Sequence, residues 1–182
     1  MFAVLLISLM KTFTLKSELI SYLNGIRKDK IVSFIPTMGC LHEGHLSLIQ
    51  KAKQSSDIVV CSIFVNPIQF NNSKDLKNYP QTIKSDFEKL QTANCDILYH
   101  PNIEDLYIKN EEVKQFDFGS LDNFMEGIIR KGHFNGVATI VEKLFRIVNP
   151  DKAYFGQKDV QQLQIIKYIT RQLKLPIEII GV

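Results

Sequence analysis

Phe34-Ile35-Pro36-Thr37-Met38-Gly39-Cys40-Leu41-His42-Glu43-Gly44-His45 is the stretch on which the fold turns. It closes an apolar run and opens an amphipathic one, so it reads as the passage from a buried strand into a helix. Gly39 ends the strand, and Gly44 removes a Cβ where the helix begins. Backbone N–H groups at such a turn can approach a phosphate, and the helix dipole favours its charge. His42 and His45 stand three apart and share one helix face. Imidazoles there can bond phosphate oxygens and stabilise charge that builds on a departing pyrophosphate. The turn is not a Walker loop, because the glycines are followed by His rather than Lys-Ser/Thr. It is not the H-E-x-x-H of zinc proteases either, since the second His comes one residue early. The plain alternative is a pair of partly exposed histidines at a helix start; the buried strand and glycine turn before them favour phosphate.

On either side of this turn strand and helix alternate. Strand-like runs cover 11–14, 31–36, 57–65, 96–100, 152–155 and 177–182. The central ones are nearly continuous Val, Ile and Phe, as in parallel strands buried on both faces. Helix-like runs cover 17–28, 42–55, 81–93, 135–148 and 159–173. In the fourth, Val137, Ile140, Val141, Leu144, Phe145 and Val148 form an apolar face, and Asn149-Pro150 stops it. The pattern predicts an α/β fold with a doubly wound, Rossmann-like parallel sheet, whose ligands lie at the carboxyl ends of the strands. Residues 102–132 are less regular and read as a surface excursion.

With 182 residues, 45% of them apolar and 23% charged, the chain suits one soluble domain with its own core. The net charge of +3 fits anionic small molecules and is too slight to argue for nucleic acid. Cys40, Cys61 and Cys95 form no C-x-x-C pair, which fits a reducing cytoplasm. Residues 1–9 are apolar but too short to span a bilayer, and they lack the marks of a signal peptide. They are read as an extension ahead of a domain at 10–182, with Met10 as an alternative start.

Further clusters repeat the plan of the first. Asn66 and Gln69 leave the end of a core strand, where amides can donate to a carboxylate or hydroxyl; a solvated Asn-Pro turn is the alternative. In Ala153-Tyr154-Phe155-Gly156-Gln157-Lys158-Asp159-Val160-Gln161-Gln162, Gly156 again separates strand from helix. Lys158 can neutralise phosphate, and Asp159 can cap the helix or accept from a ribose hydroxyl. Gln162 follows one turn on, and an ordinary capped surface helix is equally open. Arg130 and His133 precede a helix that Asn135 is expected to cap. Asp86, inside 81–93, reads as a solvated helix residue.

Together these stretches resemble the pantothenate synthetase family. P-T-M-G-x-L-H-E-G-H stands at 36–45, F-V-N-P-x-Q-F at 64–70, R-x-G-H-F-x-G at 130–136 and F-G-Q-K-D-x-Q-Q at 155–162, in matching order and spacing. The H-x-G-H turn alone is shared with the wider nucleotidylyltransferase superfamily. The resemblance runs from residue 10 to 182 and implies an ATP-dependent ligase. Pantoate would be adenylylated by ATP with Mg2+, and β-alanine would then displace AMP. It implies ATP at Met38, Gly39, Cys40, Leu41, His42, Glu43, Gly44 and His45, and again at Gly156, Gln157, Lys158 and Asp159. Pantoate would lie at Gln69, Gln162 and Met38, with β-alanine also near Gln69. His45 would assist pyrophosphate departure beside His42 and Lys158. The same resemblance implies a homodimer in the full-length form; the slight charge and the short apolar start point to neither nucleic acid nor membrane as partner, and no protein-held metal is expected.

Cys40 and Asn71 depart from the family pattern, which has Ala at the first position and commonly Gly at the second. Family members also continue beyond the position of Val182 into an S-S-R-N loop and a small C-terminal domain. A nucleotide- and pantoate-binding portion without full turnover is therefore the alternative reading of these 182 residues.

Overall fold

The computed structural model describes residues 9–108, 111 and 114–182. Of the apolar start read as an extension, residues 1–8 lie outside the described residues. Six strands form one sheet: β1 (Lys11–Phe13), β2 (Val32–Thr37), β3 (Ile58–Ile63), β4 (Ile97–Tyr99), β5 (Lys152–Phe155) and β6 (Glu178–Gly181). Their order is β1-β4-β3-β2-β5-β6, and every pairing is parallel. From β2 the chain winds outward through β3 and β4, then returns to place β5 on the other flank of β2. Ser33 pairs there with Lys152 and Phe34 with Ala153. The order thus reverses between β2 and β5, and their carboxyl ends form the crevice where doubly wound folds bind ligands. This is the α/β fold the alternation predicted.

The longer helices are α1 (Lys16–Ile26), α2 (Glu43–Lys53), α4 (Ile83–Thr92), α7 (His133–Val148) and α8 (Val160–Gln172). Shorter ones are α3 (Ser73–Lys77), α5 (Ile103–Leu106) and α6 (Glu126–Ile129). Because side chains alternate along a strand, β2 and β3 feed two cores. Val32, Phe34, Ile58 and Val60 pack with Leu19, Leu23, Phe145 and Ile166 on one face. Ile35, Val59, Cys61 and Ile63 pack with Leu41, Leu48, Ile49 and Leu90 on the other, where Met10 is also buried. The apolar face read in α7 is wholly buried. Each such side chain contributes roughly 1.5–3 kcal/mol. The helix ends at Asn149, left-handed at φ 47, whose N–H bonds Phe145 O at 2.7 Å. Among the described residues no helix is long and apolar enough to cross a membrane.

The structure departs from the expected pattern in the middle of the chain. Within the excursion at 102–132 lie two short helices, α5 and α6. Helix α7 starts at His133, after left-handed Gly132, rather than at 135. Asn135 therefore caps nothing; its Oδ1 accepts the Phe116 N–H at 2.8 Å and ties the excursion to α7.

Candidate active site

Strand β2 runs out at Thr37, whose hydroxyl donates to Ser62 O at 2.8 Å and accepts the Gly39 N–H at 3.2 Å. The chain then passes through two left-handed residues, Gly39 (φ 83) and Cys40 (φ 51). Asp86 of α4 lies beneath them. Its carboxylate accepts the N–H groups of Cys40 (2.9 Å) and Leu41 (2.8 Å) and the Thr82 hydroxyl (3.0 Å). Asp86 is 1% exposed, which overturns its reading as a solvated helix residue. Two of its three partners come from a turn more than forty positions upstream, and helix periodicity carries no sign of that contact. Lys89, on the same helix, donates to Leu41 O at 2.6 Å.

His42 is the N-cap of α2. Its Nδ1 accepts the Gly44 N–H at 3.1 Å, and His45 Nδ1 accepts the His42 N–H at 3.4 Å. The rings lie 4.2 Å apart. With Nδ1 of each ring serving as an acceptor, the hydrogen bonds assign the proton of each neutral imidazole to Nε2. Burial lowers the His45 pKa, and the neighbouring His42 lowers it further; Asp86 and Asp159 oppose this, and Lys89 adds to it. His45 is thus a neutral ring carrying one Nε2–H donor at neutral pH. The turn's backbone donors at Gly39, Cys40, Leu41, His42 and Gly44 are spent internally. Besides its backbone, the turn can present two imidazole Nε2–H groups to an anion, at the positive end of α2.

After β3 the chain makes a single 3-10 turn at Pro67–Gln69. Gln69 is buried, its Nε2 on Met38 Sδ and its Oε1 accepting from Asn66 at 3.3 Å. Asn66 is neither a solvated amide nor an open ligand contact. It is 1% exposed, donating to Gly136 O at 3.0 Å and accepting from Tyr107 at 2.9 Å. A Cβ on Gly136 would come within 2.7 Å of Gln69 Cα, so this glycine permits the close approach of α7. His133 opens α7 with Nδ1 2.8 Å from Gln69 O. Burial lowers its pKa, and that bond works in the opposite direction. Arg130 pairs with Glu126 at 3.1 Å.

Beyond β5, Gly156 leads into a 3-10 turn at Gln157–Asp159 and then α8. Gln157 Nε2 donates to Gly181 O at 3.2 Å, tying the turn to β6. Lys158 and Asp159 are exposed. Asp159 is the N-cap of α8 but makes no capping hydrogen bond, so its carboxylate is free of the capping role expected of it. Gln162 is half-buried, whereas Gln161 is 4% exposed. Gln161 accepts the Glu126 N–H at 3.0 Å and donates to Leu121 O and Phe124 O, both at 2.7 Å. Nothing in the order of residues separates these adjacent glutamines.

All four stretches therefore meet at the carboxyl ends of β2, β3 and β5. Met38 touches Gln69, Gln69 and Asn66 touch the start of α7, and His45 senses the charge of Asp159. Neither the Gln162 nor the Lys158 side chain bonds any of the described residues of this group. Among the described residues no three His, Cys, Asp or Glu side chains gather to hold a metal ion.

Known proteins share much of this sequence and its fold. The family model for pantoate-beta-alanine ligase matches residues 11–182. Pantothenate synthetase of Flavobacterium psychrophilum is 48% identical over 171 residues, covering 93% of this chain and 61% of that protein. The Acinetobacter baylyi enzyme of that name is 48% identical over 174 residues, covering 95% and 62%. A Thermus thermophilus pantothenate synthetase structure superposes with a TM-score of 0.88 at 40% identity, covering 95% of this chain and 61% of that one. The Francisella tularensis pantoate-beta-alanine ligase, complexed with beta-gamma ATP and beta-alanine, superposes with 0.92 at 38% identity, covering 95% and 66%. The chain spans about three-fifths of the length of the curated relatives it matches. With its motifs assembled at one crevice and a family model matched from residue 11 to its last residue, this chain belongs to the pantoate-beta-alanine ligase family.

Proposed function

We propose that this chain carries the ATP and pantoate sites of an enzyme that condenses pantoate with β-alanine through a pantoyl adenylate. A pantoate carboxylate oxygen attacks the α-phosphorus of ATP; the bond to the β-phosphate breaks and pyrophosphate leaves. The β-alanine amine then attacks the acyl carbon, the acyl C–O bond breaks, and AMP departs with that oxygen. Pantothenate forms after the amine loses a proton. MgATP lies along residues 38–45 and 156–159, pantoate against Met38, Gln69 and Gln162, and β-alanine near Gln69. The Nε2–H groups of His42 and His45 and the ammonium of Lys158 meet charge growing on the departing pyrophosphate. His45 does so as a neutral donor, since burial disfavours its protonated form. The enzyme works in the cytoplasm, and its full-length form is a homodimer.

The observation that carries this reading is the contact of Met38 with Gln69. It brings the nucleotide turn against the amide assigned to the acid, as in-line attack on the α-phosphate requires. The test supplies MgATP, β-alanine and pantoate labelled with 18O in its carboxylate. Label is expected in AMP, with pantothenate formed. Release of ADP and phosphate would overturn the adenylate. AMP and pantothenate both absent despite nucleotide and pantoate binding would favour a binding portion without turnover.

A further inference from the structure

Asp86 and Lys89 stand one turn apart on α4, and neither belongs to the four sequence stretches that drew attention to the site. Both reach Leu41, and Asp86 reaches Cys40 as well. Asp86 accepts the N–H groups of Cys40 and Leu41, and Lys89 donates to Leu41 O. A Cβ on Gly39 would meet Asp86 Oδ2 at 3.1 Å, so the carboxylate lies directly against the turn's backbone.

We infer that Asp86, assisted by Lys89, is a positioning residue that sets the aim of the His42 and His45 imidazoles from outside the turn. Cys40 is an L-residue held left-handed at φ 51, a conformation disfavoured without support. The bond from its own N–H to Asp86 supplies that support. Leu41, held at both N–H and C=O, is the residue immediately before the N-cap His42. The direction in which the chain enters α2 is therefore fixed by α4, and with it the direction of both rings. The buried carboxylate has no cation in direct contact among the described residues; three hydrogen-bond donors hold its charge. Such an anion is costly to bury and fails when a donor is lost, so it binds turn and helix into one unit. His45 also feels Asp86 electrostatically. Asp86 thus acts on the ring through both geometry and charge.

This inference rests on reading the turn as a nucleotide site, and two measurements keep the two claims apart. The 182-residue chain, with ring-labelled histidine, is compared with Asp86→Asn and Lys89→Met by NMR, and MgATP is titrated into each. In Asp86→Asn one oxygen acceptor becomes an NH2 facing a backbone N–H. Its His42 and His45 ring signals are expected to move, with the spectrum still dispersed and ATP bound about tenfold or more weakly. Lys89→Met, which leaves the carboxylate in place, is expected to move the same signals less. A purely structural role would lower the melting temperature and leave the ring signals of the folded protein where they were. Unmoved signals in both variants would overturn the inference, and if Asp86→Asn does not fold, unmoved signals in Lys89→Met overturn it alone. A parent chain that binds no MgATP would refute the nucleotide reading, and the ring signals would still decide the positioning role.

Discussion

The imidazole of His42 occupies the space that a side chain on Gly44 would need: a Cβ there would stand 2.9 Å from Cε1 and 3.0 Å from Nδ1. Gly44 is not among the residues with positive φ, so backbone freedom is not its reason. The ring folds over residue 44 to accept its N–H, and only glycine leaves room. The H-x-G-H spacing is thus a packing rule. The first histidine caps the helix across the glycine, and the second completes the box by accepting from the first.

Replacing Gly44 by Ala sets two terms against each other. Alanine gains about 1 kcal/mol of helix propensity over glycine. Displacing His42 forfeits a cap of about 1 kcal/mol. Stability should therefore change by less than about 1 kcal/mol. ATP binding should weaken about tenfold or more, because one Nε2–H donor is misdirected. Thermal unfolding and calorimetric titration with MgATP check both. Unchanged affinity would show that the His42 ring does not meet the nucleotide.

The histidines also set a pH dependence. Burial lowers the pKa values of both His45 and His133 from the ordinary 6.5. As pH falls through that value the unfolded chain takes up protons and the folded one resists. The stability present above about pH 6.5 is then lost towards the lowered folded values. Denaturant unfolding at pH 7.5 and 5.5 should show the loss, and His133→Gln should reduce its slope. Ring titration by NMR should place both midpoints below 6.5; a midpoint above it for His45 would contradict the assigned environment.

The sheet was legible because burial on both faces writes itself into β2 and β3 as nearly continuous apolar runs, and α7 shows its buried face at helical spacing. The turn at 36–45 was legible because two glycines and two histidines have few other uses together. What stayed hidden depends on tertiary partners. Asp86 occupies an ordinary helix position until the turn folds onto it. Asn135 has the chemistry of a cap but bonds Phe116, because left-handed Gly132 starts the helix earlier. The second glycine of R-x-G-H-F-x-G was the one available signal that α7 must closely approach another backbone.

That approach is testable at Gly136. A methyl group there would press on Gln69 Cα at 2.7 Å and Gln69 N at 2.9 Å, both backbone atoms that cannot rotate away. Gly136→Ala should destabilise the fold by about 1–3 kcal/mol, as overpacking does. It should also shift Gln69, loosening pantoate more than ATP. Parallel titrations with the two ligands read the difference, and an equal loss for both would place Gln69 outside the acid site.

Gln161 and Gln162 are neighbours with opposite expectations. Gln161 is buried and makes three hydrogen bonds to the backbone of residues 121–126. Truncating it to Ala leaves the Glu126 N–H and the Leu121 and Phe124 carbonyls without this partner, at partly exposed positions where water replaces much of what is lost. The net loss in Gln161→Ala should be roughly 1–2 kcal/mol. Gln162 is half-buried and its side chain bonds none of the described residues, so Gln162→Ala should stay within about 0.5 kcal/mol of the parent. If Gln162 holds the acid, its loss should weaken pantoate by roughly 1.5–3 kcal/mol and leave ATP almost untouched. Urea unfolding separates the two stabilities, and pantoate titration of the folded fraction reads the affinities. A Gln162→Ala protein that binds pantoate like the parent would remove Gln162 from the site. A Gln161→Ala protein as stable as the parent would mean that residues 121–126 keep their place without the glutamine that now spans them.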